Sequence, residues 1–550
     1  MSRSKEILLL LLICGGLFFT NLGVPGLWDE DEPRNATCAR EMYQRGDWIV
    51  PTFNGQLRTA KPVLLYWLIM SAYAVFGINE FSARLWSALL GTGTVLLTAS
   101  LGARLYSRRV GFWSAIFLAS GLMFVVASRA CTPDACLVFC ATATLVQGGL
   151  LWATPNGNSP FIKSNSLWPQ IGIFLTMGVG VLAKGPVAVV LPGGILLAYL
   201  YLLKIQNDGL SSGGITLRGA TQSLTAWKTH ASVWKAIHPL LAAGVILAVA
   251  LPWYLAVAIR TEGAWLQQFL GAENVGRFLK PMEGHRGPIV YYLPAILIGF
   301  YPGSVFLPYA LWNLTQRLRR NFSSADLFLA CWGGIWVGFF SLAGTKLPSY
   351  VTPAYPALAI LTARTFVEWL EKPSLIPGIL TRIAFAVPIV VGLGVLIAVP
   401  SLAQHYLPGE TQLLWVGVIP LLCGVFAWRN GTQHRLESYA RWFACGGIGF
   451  SLALFGMAVV EVDQHQSSAP LIGLIKTQHP RKFRLGTFRF SPPSLVYYAG
   501  QVLTELRSPE EVRRHLSSPE SPGYLIVREA DLPLIQPVIP VDCQVIGQRR

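Results

Sequence analysis

The sequence predicts an all-α polytopic membrane protein with a small α/β domain at its C-terminal end. Three observations carry that reading. Of the 550 residues, 53% are hydrophobic and only 13% are charged, where a soluble protein of this size carries about 25% charge. Apolar stretches long enough to cross a hydrocarbon core of about 30 Å recur along most of the chain. The basic residues fall in short loops between those stretches, as the positive-inside rule requires. The net charge of +16 is therefore a topological signal. No nucleic-acid-binding motif accompanies it.

Taken in order, the expected spans are 6–23, 84–103, 110–127, 134–153, 168–183, 185–203, 238–259, 288–313, 324–343, 348–367, 383–400, 412–428 and 442–460. The first follows Arg3 and Lys5 and resembles a signal peptide. No small-x-small cleavage site follows it, so it reads as a retained helix. A further apolar run, "VLLYWLIMSAYAVFG" at 63–77, is short for a span and carries Tyr66, Trp67 and Tyr73. Charge decides its fate. If it lies in the membrane plane, the loops 103–109, 204–237, 317–320 and 429–441 all fall inside. They hold Arg104, Lys204, Arg218, Lys228, Lys235, Arg317, Arg429, Arg435 and Arg441. If it crosses, every later basic loop moves outside. The expected count is thirteen spans, with residues 1–465 forming the membrane domain and 24–83 its first outer loop.

The tail, 466–550, is expected outside as an α/β domain. "GYLIVRE" reads as a strand, and "SPEEVRRHL" opens with the Ser, Pro and Glu of a helix start. None of the nine cysteines forms a CxxC pair, which argues against a zinc or redox site. Whether Cys38 pairs with Cys543 stays open, as does a metal site built on a carboxylate and His285.

This topology puts the unusual polar residues on one side. Asp31 and Glu32 end the acidic run "DEDE" and open an amphipathic segment, "PRNATCAREM". Carboxylates are favoured at such an N-terminus. Lys61 precedes Pro62 at the entrance to the in-plane run. Asp134 starts a span, and Lys184 sits between two spans in "AKGPV". Glu273 and Arg277 are four apart in the loop 269–288. Lys346 and Tyr350 lie in "GTKLPSY", a tight turn between apolar stretches. Each alone is an ordinary boundary charge, cap or ion pair. Together they suggest a site. Cations suit a lipid-linked phosphate, and a carboxylate suits the group that reacts with it.

The stretches "DEPRNATCAREM", "GDWIVPTFNGQLRTAKPVLLYW", "FGINEFSARLWSALLG", "LAKGPVAVVLPG", "PWYLAVAIR" and "SLAGTKLPSYVTPAYPALAIL" resemble the lipid A aminoarabinose transferases and the protein O-mannosyltransferases, which are integral-membrane (GT-C) glycosyltransferases. The likeness runs from about residue 20 to 365. It implies thirteen spans and an outer-face site that moves a sugar, with inversion, from polyprenyl phosphate to a lipid or protein acceptor. By the same resemblance, Asp31, Glu32 and Asp134 are the catalytic acids. Lys61, Arg277, Lys346 and Tyr350 bind the donor phosphate; Lys184 and Glu273, read from their place on the same side rather than from the resemblance, are candidate substrate contacts. It also implies an inner-membrane location, and an activated donor needs no nucleotide or obligate metal. Ala60 and Asn35 depart from the family pattern and leave the sugar open. The competing reading is a transporter or flippase for a lipid-linked substrate.

Overall fold

The computed structural model of the chain describes all residues except 1, 29, 154–166, 208–226, 280–283, 321, 480–482, 519–520 and 549–550. Asp29 of the acidic run and Arg218 of the inner insert lie outside the described residues.

Each of the thirteen apolar stretches is helical over most of its length. Among the described residues, eight helices are long and apolar enough to cross a membrane. The count is nine if Arg108–Ala119 and Leu122–Arg129, bent by 69°, form one span. The shortfall has local causes. The first stretch loses its α geometry in a π turn at Gly15–Phe19. The stretch 288–313 is divided between the helices Tyr292–Gly299 and Leu307–Arg320. A 3-10 turn at Pro348–Ala354 precedes Tyr355–Glu371. Pro and Gly at these places interrupt the i→i−4 ladder.

The helices pack through small residues, as apolar helices in lipid must. A Cβ on Gly111 would lie 2.3 Å from the Ala99 carbonyl, so Glu80–Leu105 and Arg108–Ala119 meet backbone to backbone. Rings fill the wider gaps: Trp113, Phe117, Phe306 and Phe443 surround Phe366, with centroids 4.8 to 6.3 Å from it.

The first loop is built on local signals. Its helix Asp31–Arg45 ends at Gly46, whose φ of 65° turns the chain. An Asn54-Gly55 turn, with φ of 53° and 75°, joins Thr52–Phe53 to Gln56–Leu57, the pairing such a turn favours. The run 63–77 is the helix Leu64–Phe76. Thirteen residues rise about 20 Å, short of a hydrocarbon core.

After the last long helices, Arg484–Phe488 pairs in parallel with both Thr504–Leu506 and Gly523–Ile526. Helices Pro493–Ala499 and Pro509–Ser517 provide the crossovers. Ser508 caps the second by accepting from Glu511 N–H. This unit clips the first loop. Asn54 and Leu503 exchange hydrogen bonds of 2.9 and 2.8 Å, and Arg40 donates to the Val496 and Tyr497 carbonyls. Cys38 is buried and Cys543 exposed, and both are free thiols.

Candidate active site

The two carboxylates that open the first-loop helix have different fates. Asp31 is exposed. Glu32 is buried and fully occupied. Arg84 donates to both its oxygens at 2.8 and 2.7 Å, and the Cys131 and Trp28 N–H groups donate at 2.7 and 3.0 Å. Burial alone raises its pKa. Arg84 and the two N–H groups outweigh that and hold it below the usual carboxylate range. Arg84 also donates to the Leu22, Pro25 and Gly26 carbonyls. Glu32 and Arg84 thus tie the start of the first loop to its end.

Lys61 follows the hairpin and is half-buried. The loop before it is pinned by Trp265, whose indole donates to the Arg58 carbonyl at 2.9 Å. Trp265 is itself fully buried and stacked on Phe269 at 4.7 Å. Burial first, then the charges of Lys184 and Arg277, push the Lys61 ammonium down to about 8. Glu273 and Asp31 oppose that shift. This electrostatic neighbourhood brings together three loops that lie far apart in the chain.

Two of those neighbours are held in ion pairs. Lys184 meets Asp134 at 2.5 Å, and Arg277 meets Glu273 at 2.8 Å. The second pair forms at the edge of a π turn, Phe269–Gly276, a departure from helical geometry often found at functional sites. Lys184 Nζ also lies 5.1 Å from the centre of the Tyr350 ring. Backbone bonds then fasten the loop of Arg277 to the turn of Lys346. Gly344 N–H donates to Phe278, Thr345 N–H to Arg277 and Lys346 N–H to His285.

Lys346 itself is turned to another task. Its ammonium donates to the Phe340, Ser341 and Ala343 carbonyls at 3.2, 2.8 and 2.9 Å. It closes the negative end of the helix Ser324–Leu342. Among the described residues, no three His, Cys, Asp or Glu side chains are placed to hold a metal ion; His285 meets the cluster through its backbone.

Two residues of the site escape a reading by motif. Arg84 looks like a boundary charge in "FSARLW", and its role depends on a partner 52 residues away. Arg58 is the other. Its guanidinium donates to Tyr66 Oη at 3.1 Å and to Asn35 Oδ1 at 3.2 Å, and Asp31 is an electrostatic neighbour.

Carboxylates and cations gathered at the ends of many apolar helices mark the candidate site. Residues 4–267 match the family model described as dolichyl-phosphate-mannose-protein mannosyltransferase. The chain is 28% identical over 488 residues to the undecaprenyl phosphate-alpha-4-amino-4-deoxy-L-arabinose arabinosyl transferase of Enterobacter sp. (strain 638), covering 87% of this chain and 81% of that protein. It is 31% identical over 372 residues to the transferase of the same description from Pseudomonas aeruginosa (strain LESB58), covering 68% and 61%. The crystal structure of ArnT from Cupriavidus metallidurans, bound to undecaprenyl phosphate, shares the fold. Its TM-score is 0.77 at 21% identity, covering 100% of this chain and 97% of that one. The chain is similar to these transferases over most of its length and shares the fold of a solved one.

Proposed function

We propose that the chain transfers a sugar, with inversion, from polyprenyl phosphate to a lipid A-like acceptor at the outer face of the inner membrane. An acceptor oxygen forms a bond to the anomeric carbon as that carbon's bond to the phosphate oxygen breaks. The electron pair leaves on the phosphate. Lys61 and Arg277 neutralise the charge that develops there, with Lys184 and Tyr350 beside them. Asp31 orients the acceptor or takes its proton, and Asp134 holds Lys184 in place. Glu32 and Lys346 act through the backbone they secure. The donor is already activated as a phosphate ester, so the reaction draws on no nucleotide or cofactor. The observation that carries this reading is the half-buried Lys61 ammonium, without an ion pair of its own among the described residues, in the company of Asp31, Lys184, Glu273 and Arg277.

The orientation is part of the proposal, with thirteen crossings, an in-plane Leu64–Phe76 and an outer 466–550 domain. Its support is the pattern of polar contacts among the described residues. Loops assigned outside meet only one another: Glu32 with Arg84 and Cys131, Gly26 with Asp463, Asp47 with Arg260, Glu410 with His465. Loops assigned inside do the same: Glu6 with Arg108, Arg109 with Glu437, Tyr106 with Asp326, Arg317 with Glu368.

The test is Asp31→Ala in the purified, lipid-reconstituted protein, assayed with radiolabelled polyprenyl-phosphate sugar. Transfer is expected to fall about 10²–10⁴-fold while the protein stays folded. Unchanged transfer removes Asp31 from the mechanism. Donor flipping that persists without any transfer, in wild type and variant alike, identifies a flippase instead.

A further inference from the structure

The guanidinium of Arg58 is fixed on one edge and one face. Tyr66, fully buried, accepts from Nε, and Asn35, 1% exposed, accepts from Nη2. Asn35 is itself oriented, because its amide donates to the Cys131 carbonyl at 3.0 Å. The Phe53 ring lies 6.0 Å from Cζ. Every one of these partners is neutral. Among the described residues no carboxylate comes within ion-pair range of Arg58, whereas Arg84 and Arg277 each have one. A half-buried, permanent cation held rigid by neutral groups lacks its counter-charge. Its Nη1 edge carries no hydrogen bond to the described residues.

Asp31 is an electrostatic neighbour of Arg58 and also of Lys61 and Lys184. The carboxylate is therefore an electrostatic neighbour of two cationic places. One is the cluster of Lys61, Lys184 and Arg277. The other is Arg58 alone. Asp31, Asp134 and Glu273 against Arg58, Lys61, Lys184 and Arg277 leave one positive charge over: Lys184 and Arg277 have paired acids, whereas Arg58 and Lys61 share the one remaining carboxylate, Asp31.

Building on the function proposed above, we propose that Arg58 is the acceptor-side anion contact: its open guanidinium edge receives a phosphate of the acceptor, while Lys61 and Arg277 receive the phosphate of the donor. A planar fork already immobilised on its other edge binds a phosphate with little further loss of freedom. Asp31 is then a neighbour of both bound anions, next to the acceptor oxygen that reacts. Arg58 is a specificity-determining residue in this scheme, and the site prefers an acceptor that carries a phosphate monoester.

The experiment compares wild type, Arg58→Gln, Arg58→Lys and Lys61→Ala with polyprenyl-phosphate sugar as donor. The acceptors are lipid A and the same lipid stripped of its phosphates. Arg58→Gln is expected to raise the acceptor KM about 10–100-fold, the range of a charge-assisted hydrogen bond, with donor KM within about twofold of wild type. The wild-type preference for phosphorylated lipid A should collapse in that variant. Arg58→Lys should fall between, since it keeps the charge and loses the fork. Lys61→Ala should raise donor KM instead. Should Arg58→Gln fail to fold, Tyr66→Phe and Asn35→Ala loosen the guanidinium without removing it, and they should raise acceptor KM selectively. An unchanged phosphate preference in Arg58→Gln, or in both substitutes, overturns the assignment. So does a lower melting temperature with both KM values altered alike, which is the mark of a structural role. If wild type transfers sugar to neither form of lipid A, the proposed acceptor falls, and this assignment with it.

Discussion

Adjacent side chains at the start of the first loop separate chemistry from support. Glu32 accepts four hydrogen bonds and is buried against Arg84. Glu32→Ala leaves that arginine buried without its partner, and is expected to destabilise the protein by about 3–5 kcal/mol. Asp31 is exposed, and Asp31→Ala is expected to change stability by no more than about 0.5 kcal/mol. Thermal unfolding of the two variants in detergent reads the contrast; equal losses would place both residues in the scaffold. Lys61 supplies a pH test. Its folded pKa of about 8 lies below the ordinary 10.5, so it is the cation that holds an anion only below about pH 8. The kcat/KM for donor should fall above that pH, by up to about tenfold per unit. Stability should move the other way. The charged lysine opposes folding fully below about pH 8, and that burden lifts as pH rises toward 10.5. A flat donor profile between pH 7 and 10 would show that Lys61 does not carry the donor's charge. These residues were legible as charges at helix boundaries. Their partners were not, because the Glu32–Cys131 bond spans 99 residues and no spacing rule reaches that far.

At the scale of elements, the turn "AKGPV" shows how backbone geometry aims a charge. Gly185 ends the helix Trp168–Lys184 at φ 81° and ψ −152°, a region open in practice only to glycine. A Cβ there would also lie 2.7 Å from the Phe269 ring, which is stacked on Trp265. Gly185→Ala must either strain the turn by about 1–3 kcal/mol or displace Phe269. Both routes disturb Lys184 and the loop pinned by Trp265. The variant is expected to lose transfer activity about tenfold or more, in keeping with the sensitivity of positioned groups to small displacements, and to unfold at a lower temperature. Wild-type values for both would mean the turn relaxes freely. Helical character was legible in nearly every apolar stretch, since 3.6-residue packing needs only length and hydropathy. The interruptions were not. Pro and Gly do not by themselves say where the ladder breaks, and the π turns at Gly15–Phe19 and Phe269–Gly276 leave no periodic trace in the sequence.

For the whole molecule, the proposed orientation reduces to one segment, Leu64–Phe76. A crossing there would put residues 26–61 on the opposite face of the membrane from the helix ends at Arg84 and Cys131. The polar contacts oppose that. Arg84 reaches the carbonyls of Leu22, Pro25 and Gly26, Asn35 reaches Cys131, and the indole of Trp253 donates to the Ile49 carbonyl. Parity read from loop charge and parity read from tertiary contacts are independent arguments, and they agree. They also place the tail, through Asn54 and Leu503, on the face that holds Asp31. A labelling experiment checks the result. In a background without the exposed Cys445 and Cys543, Gln56→Cys sits at an exposed position of the hairpin. It should react with a membrane-impermeant maleimide in cells whose outer membrane alone has been opened. Arg319→Cys, on the helix Leu307–Arg320 at the other end, should react only after the inner membrane is breached. Protection of Gln56→Cys together with ready labelling of Arg319→Cys would invert the orientation and move the charge cluster to the cytoplasm. Labelling of both in intact cells would mean that the segment between them crosses an even number of times, which the thirteen-span arrangement forbids.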